Sequence, residues 1–313
     1  MKKAIGFELS KIDKNSKFGS VYMGGGTPSV LPEYALEEIF GLISPFTDCN
    51  TEITVEMNPK STSKSKAETL KKAGVNRISL GLQSLHNQKL TFLGRGHTAK
   101  EGIQSVETLR VAGFSNISAD FMYDTEFDDL EFLKKELDGF LALNTEHISA
   151  YSLTIEEGTP FFEKKIETRY DDKAARYVSD RLISGGFLHY EVAAFGKIKS
   201  LHNRGYWEYK PYIGIGAGAV GFDGEKRVYP HKEIEEYIKN PTEYEYESVT
   251  ADEQKTERIF LGLRSDVGVD ISMVSKKQKE IDYLLEAKII EIKNGKIYSL
   301  DFFLADEAAV RLS

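Results

Sequence analysis

Cysteine is almost missing from this sequence, because its 313 residues include one, Cys49. A lone thiol cannot pair with another part of the same chain, so a fold held together by internal disulfides is excluded. Such sparing use of cysteine is typical of a reducing compartment. A chain of this length can bury enough apolar surface to be stable without cross-links.

An excess of basic residues and long hydrophobic runs are lacking as well. The formal net charge is −8, which argues against a nucleic-acid-binding surface. No apolar run approaches the ~18 residues that a membrane-spanning helix needs. The N-terminus has Lys2 and Lys3 but meets Glu8 at once, which is unlike a signal peptide. We therefore predict a cytoplasmic protein with no transmembrane segment and no nucleic-acid partner.

Glycine is concentrated in the stretch SVYMGGGTPS, residues 20–29. It reads as a short strand that runs into Gly24, Gly25 and Gly26, followed by a helix that Pro32 opens. In parallel α/β proteins, ligands bind on the loops that follow the carboxyl ends of the strands. A tight turn without a ligand would need fewer glycines, so the pattern favours a site where the backbone approaches a ligand closely.

After this stretch, strands and helices alternate. Predicted strands begin near residues 20, 52, 77, 116, 147 and 188, and Asp171 is predicted to cap the helix before the last one. This spacing predicts an α/β domain over 1–195, a partial (β/α)6 barrel. An amphipathic helix at 3–12 precedes the first strand, although a crossover helix normally returns from an earlier strand.

The rest of the chain follows another pattern. Residues 196–247 form an aromatic and glycine-rich segment, and 248–313 form a small C-terminal domain. Two helices and a hairpin turned at Asn294 and Gly295 resemble a winged helix. Acidic residues outnumber basic ones there, so packing or partner docking is the expected role rather than DNA binding.

Four polar residues fall at or near predicted strand ends: Glu56, Gln83, Asp120 and, after a short helix, Arg95. A parallel barrel brings such ends to one rim. Carboxylates there can hold an ammonium group or ribose hydroxyls, and an arginine can clamp a carboxylate. Each residue alone is more simply explained as surface polarity, but together with the three glycines they favour a ligand site.

Four motifs, in this order, give the sequence a family resemblance: GGGTPS at 24–29, EMNP at 56–59, GVNRISLGLQS at 74–84 and LGRGH at 93–97. The sequence resembles the radical S-adenosylmethionine family of oxygen-independent coproporphyrinogen III oxidases and their heme-chaperone relatives. The resemblance covers essentially the whole chain. It implies the fold of a radical SAM barrel that here lacks its first βα unit.

The resemblance also implies a site for S-adenosylmethionine. Gly24, Gly25, Gly26 and Thr27 would hold its amino acid end, and Arg95 would pair with its carboxylate. Polar parts of the methionine and the ribose would be held by Glu56, Gln83 and Asp120. Thr154 and Val220 are further candidates for adenine contacts.

A second motif, HNRGYW at 202–207, resembles the signature of the heme-chaperone branch. An imidazole such as that of His202 is a good ligand for heme iron, and Tyr206 and Trp207 can cover a porphyrin face. On the residues alone, an equally good interpretation is that His202 makes a structural hydrogen bond and that the two aromatic residues belong to the core.

The sequence departs from the family in two places. The family carries Cys-x-x-x-Cys-x-x-Cys before the triglycine strand, where the thiolates hold a [4Fe-4S] cluster, and this chain has no such triplet. Cys49 is predicted to be structural. After Asp120 the family continues with a Gly-Leu-Pro turn, whereas this chain reads Phe121-Met122-Tyr123-Asp124-Thr125.

Two explanations fit the missing cysteines. Either the sequence begins inside a longer protein, or the protein is a relative that kept the barrel and lost the cluster. The helix at 3–12, with no strand before it, favours the first explanation.

Three functions follow as hypotheses. The first is a heme-binding chaperone that passes heme to an acceptor heme protein, such as a respiratory enzyme. The second is a coproporphyrinogen III oxidase of porphyrin biosynthesis, in a longer chain that carries the cluster cysteines. The third is a catalytically inert interaction scaffold. Heme and S-adenosylmethionine are the expected ligands, a homodimer is left open, and the chain as it stands is predicted to be enzymatically inactive.

Overall fold

The structure is a computed structural model that describes residues 1–166, 168 and 172–313. Its contacts divide the chain into two compact units. The sheet unit comprises Ser20–Glu37 and Glu52–Lys199, and the terminal unit comprises Met1–Gly19, Glu38–Thr51 and Ser200–Ser313. The domain boundaries at 195 and 247 remain a prediction.

Strands and helices alternate through the sheet unit and continue into the terminal unit. In chain order the strands are β1 (Ser20–Met23), β2 (Glu52–Met57), β3 (Arg77–Gln83), β4 (Ile117–Tyr123), β5 (His147–Ser152), β6 (Leu188–Glu191), β7 (Ala194–Gly196), β8 (Gly221–Phe222), β9 (Lys226–Pro230), β10 (Tyr244–Ser248), β11 (Val269–Asp270), β12 (Ile290–Lys293) and β13 (Lys296–Ser299). The α-helices are α1 (Lys2–Leu9), α2 (Glu33–Ile43), α3 (Lys64–Lys72), α4 (Asn87–Phe92), α5 (Ala99–Val111), α6 (Leu130–Ala142), α7 (Pro160–Glu163), α8 (Asp172–Ser184), α9 (Leu201–Trp207), α10 (Ile234–Lys239), α11 (Ala251–Leu263), α12 (Gln278–Glu286) and α13 (Ala305–Leu312). Short 3₁₀ turns lie at Pro28–Val30, Ser44–Phe46, Pro59–Ser61, Ile271–Val274 and Phe302–Leu304.

The sheet unit is built on one seven-stranded sheet with the order β1-β2-β3-β4-β5-β7-β6. The first five strands are parallel, and each pairs with the next one along the chain. This is the predicted alternation, in which every helical crossover returns the chain to the neighbouring position. The carboxyl ends of β1 to β5 therefore share one edge of the sheet.

The last part of this sheet differs from the expectation. Residues 188–194 were expected to form one further strand of the parallel array, but β6 and β7 form an antiparallel pair, and β7 is also antiparallel to β5. The chain reverses at Val192 and Ala193, where the Glu191 carboxylate accepts a hydrogen bond from the Ala193 amide. The predicted capping residue Asp171 lies outside the described residues.

Helix caps follow the sequence closely. Thr98 and Glu101 form the predicted capping box of α5, with hydrogen bonds in both directions. A second capping box, made by Thr250 and Glu253, opens α11.

The terminal unit contains two apolar clusters. Ile5 and Leu9 of α1 pack with Phe46, so the helix at the start of the chain has a core of its own. The other cluster joins α11, α12 and α13 to the antiparallel sheet β11-β13-β12. Its hairpin turns at Asn294 and Gly295, as predicted, and both residues have positive φ. Strand β11 and helix α13 were not predicted.

A second three-stranded antiparallel sheet in this unit has the order β10-β9-β8. Helix α9 precedes it and carries the HNRGYW motif. None of the helices in the described part of the chain is long and apolar enough to cross a membrane.

Candidate functional site

The carboxyl end of β1 meets β2 at a polar contact. Tyr22 donates a hydrogen bond from its hydroxyl to Oε1 of Glu56, over 2.6 Å. Burial and this carboxylate together raise the pKa of Tyr22 far above its ordinary value, so the phenol stays protonated and donates. A Cβ on Gly24 would lie 2.6 Å from Cε1 of Tyr22 and 3.0 Å from the Glu56 oxygen. Glycine at 24 is therefore required for this contact to form.

The other two glycines leave the backbone open. A Cβ on Gly25 or Gly26 would meet no atom of the described residues within 4 Å. Gly25 has a φ of +111°, which side chains rarely adopt. Thr27 follows and donates its hydroxyl to the Gly26 carbonyl. The loop thus presents uncovered peptide groups directly after the strand, which fits close approach of a small polar ligand.

Asp120 is the most perturbed carboxyl group near this edge. It is partly buried on β4, and Ser79 donates a hydrogen bond to it over 3.3 Å. The pKa of Asp120 is raised to about 7, chiefly by burial and also by the negative charge of Glu56, against the lowering effects of Arg77 and of the hydrogen bond from Ser79. The carboxyl group is thus near half-protonated at neutral pH.

Arg95 shares the electrostatic environment of Asp120. Burial lowers the pKa of the half-buried guanidinium, while the charge of Asp120 acts in the opposite direction. The charges of the two predicted ligand-binding groups therefore influence each other, and one can bind an anion while the other can bind a cation.

Gln83 ends β3 in a left-handed conformation, with φ of 67°, beside an irregularity in the pairing with β4. Its side chain is buried, and Oε1 has no hydrogen-bond partner among the described residues. A buried acceptor without a donor costs free energy unless a ligand or water satisfies it. This oxygen therefore fits a ligand that carries hydroxyl or ammonium donors.

The structure adds a polar layer that the sequence interpretation missed. Cα pairing aligns Glu56 with Ser79, and Thr54 with Arg77, along one face of β2 and β3. The same face continues through β4 and β5, where Ser118 contacts His147 and Asp120 is paired with Ser149. Residues two apart on a strand share a face, so polar residues alternating with apolar ones along each strand were the signal.

His147 is a structural member of this layer. It is fully buried, with Nδ1 2.8 Å from the Ser118 hydroxyl and Nε2 2.7 Å from the Tyr190 hydroxyl. Burial holds its pKa well below the ordinary range, with the charge of Arg77 acting in the same direction. The ring is therefore neutral, and both of its nitrogens are occupied.

The two candidates for adenine contacts belong to different units. Thr154 is exposed just after β5, and Val220 belongs to the terminal unit. Neither has a contact that assigns it a role.

Helix α9, in the terminal unit, presents an aromatic surface. The rings of His202 and Tyr206 meet edge to face at 4.9 Å, and those of Tyr206 and Tyr212 do so at 4.8 Å. Tyr206 is 40% exposed, and Leu201 and Ile213, next in sequence to His202 and Tyr212, are 52% and 58% exposed. An exposed aromatic ring against an imidazole, with exposed apolar residues adjoining in sequence, suits a flat, apolar ligand.

Trp207 lies at the end of the same helix. Its Nε1 is buried and has no hydrogen-bond partner among the described residues. An indole nitrogen usually finds a hydrogen-bond partner when it is buried, so this donor is an unsatisfied group among the described residues.

An iron–sulfur cluster does not fit the residues present. Cys49 is exposed in the terminal unit, and the part of the chain that the structure describes holds no group of three or more His, Cys, Asp or Glu residues arranged for a metal ion. Three thiolates cannot come from one cysteine.

Comparison with known proteins gives consistent results. Residues 7–133 match the model of the radical SAM superfamily. The sequence is 36% identical over 296 residues to the heme chaperone HemW of Lactococcus lactis subsp. lactis (strain IL1403), covering 90% of this chain and 78% of that one. It is 34% identical over 276 residues to the heme chaperone HemW of Bacillus subtilis (strain 168), covering 82% and 73% of the two chains.

Among solved structures, the fold is similar to that of coproporphyrinogen III oxidase (HemN) from Escherichia coli, described as a radical SAM enzyme. The TM-score is 0.81 at 15% identity, over 99% of this chain and 82% of that one. At this identity the likeness speaks for the fold alone. The predicted α/β partial barrel is confirmed.

Proposed function

Since this chain belongs to the heme chaperone HemW family within the radical SAM superfamily, we propose that it binds heme and passes it to an acceptor heme protein. The observation that carries the proposal is the aromatic surface of α9, where the His202 ring packs against the exposed ring of Tyr206. A chaperone must release its ligand. A ligand on a partly exposed surface is released more easily than one in the deep pocket of a permanent heme protein.

In this proposal His202 supplies the imidazole nitrogen for the heme iron. Tyr206 packs edge-on against that imidazole and limits its rotation. The exposed Leu201 and Ile213 cover apolar parts of the porphyrin, and the Trp207 indole donates to a propionate. The visible absorption of heme allows its binding to this surface to be followed.

The edge of the parallel sheet is proposed as a separate site for S-adenosylmethionine. The open backbone of Gly25 and Gly26 accommodates the amino acid end, and Arg95 pairs with the carboxylate. Glu56 and Asp120 provide carboxylate oxygens for the ammonium group and for the hydroxyl groups of the ligand. The side-chain oxygen of Gln83, Oε1, accepts a hydrogen bond from one of these donors. This chain uses the bound molecule as a structural or regulatory ligand, because its residues do not fit a cluster.

A hemin titration of the full chain tests the heme proposal. Wild type should bind hemin saturably, with a shifted Soret band. His202→Ala should bind hemin at least about tenfold more weakly, since it loses the axial ligand. His231→Ala is the matched control, because His231 is a partly exposed imidazole of the same unit outside α9. Unsaturable binding by wild type, or an equal loss in both variants, would refute the role of α9.

A further inference from the structure

Lys89 of α4 is a fully buried charge that the proposed function does not use. Its Nζ lies 2.6 Å from Oδ1 of Asp128 and 3.0 Å from Oε2 of Glu136, and both carboxylates are buried too. The ammonium also lies over the rings of Phe121 and Phe132, at 5.0 and 5.5 Å from their centroids. Removing three charges from water costs about as much as their attraction returns, so stability alone does not explain this group.

Glu136 connects Lys89 to the turn that follows β3. Its other oxygen, Oε1, accepts hydrogen bonds from the Ser84 hydroxyl and from the Leu85 amide, each over 2.7 Å. These residues come directly after Gln83, whose backbone is left-handed. The carboxylate therefore fixes the turn that sets the direction of the unpaired Gln83 oxygen.

Asp128 connects Lys89 to the turn that follows β4. Its other oxygen, Oδ2, accepts from the Thr125 amide over 2.9 Å and from the Thr125 hydroxyl over 2.6 Å. Asp124, the residue before Thr125, also has a left-handed backbone conformation, with φ of 67°, and its carboxylate accepts a hydrogen bond from the Ser152 hydroxyl. These contacts lie where the chain departs from the Gly-Leu-Pro turn of the sequences that it resembles.

We propose that Lys89 is a positioning residue that locks together the turns after β3 and β4, and thereby holds Gln83 at the ligand-binding edge, where it pairs with Phe121, the residue after Asp120. The proposal rests on the S-adenosylmethionine site proposed above. One ammonium bridges two carboxylates, and each carboxylate holds the backbone of one turn. If the ammonium is removed, two buried carboxylates remain without a cation between them and repel each other.

Hydrogen exchange of the full chain, measured by mass spectrometry without any ligand, tests the lock. In Lys89→Met, the amides of 84–86 and 125–129 should exchange about a hundredfold faster than in wild type, because removing one partner of a buried ion pair opens its surroundings. Lys135→Met is the matched control, since it removes an exposed lysine that pairs with Glu131 on α6 at 2.8 Å. It should leave both turns unchanged.

Glu136→Gln provides a second variant in case Lys89→Met does not fold. The amide oxygen can still accept from Ser84, so the fold is preserved while the charge is lost. Faster exchange confined to the two turns supports the proposal. Unchanged exchange, or an equal increase throughout the chain, overturns it.

The same variants are then titrated with S-adenosylmethionine, with hemin binding as an internal reference. Lys89→Met should bind S-adenosylmethionine about tenfold more weakly while its hemin affinity stays that of wild type. Unchanged S-adenosylmethionine affinity despite loosened turns would contradict the positioning role. Absence of binding by wild type would instead refute the proposed ligand site, and the exchange pattern would still decide whether Lys89 locks the turns.

Discussion

At the scale of single residues, Asp120 combines a proposed binding role with a cost in stability. Its pKa of about 7 in the folded chain lies above the ordinary 3.8. Between pH 3.8 and pH 7, the folded state therefore holds a proton on this carboxyl group that the unfolded state has lost. Stability conferred by the protonated form is therefore lost as the pH rises from about 4 through 7. At pH 8 the folded chain carries the cost of an ionised, partly desolvated carboxylate.

Asp120→Asn should consequently be more stable than wild type at pH 8, by about 2 kcal/mol after allowance for partial exposure, and nearly equal to it at pH 4. Urea unfolding at the two pH values measures the difference. Asp13→Asn, an exposed substitution in the terminal unit, should follow wild type at both. A variant that is less stable than wild type at pH 8 would show that the ionised carboxylate stabilises the fold.

Gly24 and Gly26 lie in the same loop but differ in the space around their Cα atoms. Gly24→Ala places a methyl group against Tyr22 and Glu56, and overpacking of this kind costs about 2 kcal/mol. Gly26→Ala meets no described atom within 4 Å and should leave the thermal midpoint unchanged. Equal midpoints for the two variants would mean that the Tyr22–Glu56 contact is not fixed.

The predicted site residues were those at strand ends, because topology alone brings such ends to one edge. Asp120 and Arg95 do interact there, as do Glu56 and Asp120. Ser79 and Arg77 were missed because they precede the carboxyl end of β3, and their place in the polar layer depends on the pairing register with β2. The unpaired oxygen of Gln83 also depends on a local bulge that no sequence pattern specifies.

At the scale of secondary-structure elements, α1 is tied firmly into the terminal unit. Glu8 is buried and accepts hydrogen bonds from the Gly216 amide and from the hydroxyls of Tyr237 and Tyr244. A helix that lacks a preceding strand in this sequence therefore has a specific anchor, which the apolar spacing of its residues did not reveal.

Glu8→Ala should destabilise the chain by about 3 kcal/mol, because it leaves two tyrosine hydroxyls and an amide unsatisfied in a buried environment. Glu38→Ala removes an exposed pair with Lys2, also at α1, and should cost under about 1 kcal/mol. Denaturant midpoints compare the two. A similar loss for both would show that α1 is held by its apolar face alone.

Elements with local signals were predicted well. The turn at Asn294 and Gly295 was recoverable because only a few residues tolerate positive φ, and the capping box of α5 because it is encoded in four residues. The pair β6 and β7 was not, since its antiparallel pairing depends on contact with β5 and not on its own composition. Strand β11 has two residues and shows no period at all.

At the scale of the whole molecule, membership of a radical SAM family coexists with a single cysteine. The four ordered motifs made the family recognisable from the sequence, since each is a short local pattern. We predict that anaerobic incubation of this chain with iron, sulfide, a strong reductant and S-adenosylmethionine yields no 5′-deoxyadenosine. Chromatography of the quenched mixture measures it. Formation of 5′-deoxyadenosine by this chain would overturn our interpretation of the missing thiolates.

The claim that this chain delivers heme is tested most directly by transfer. The heme-loaded chain is mixed with the apo form of a respiratory heme protein, and the Soret region is followed over time. We predict that the spectrum of the acceptor appears at a rate that rises with acceptor concentration, as direct handover requires. Heme that stays on the chain at every acceptor concentration, or leaves at a rate independent of it, would contradict the account.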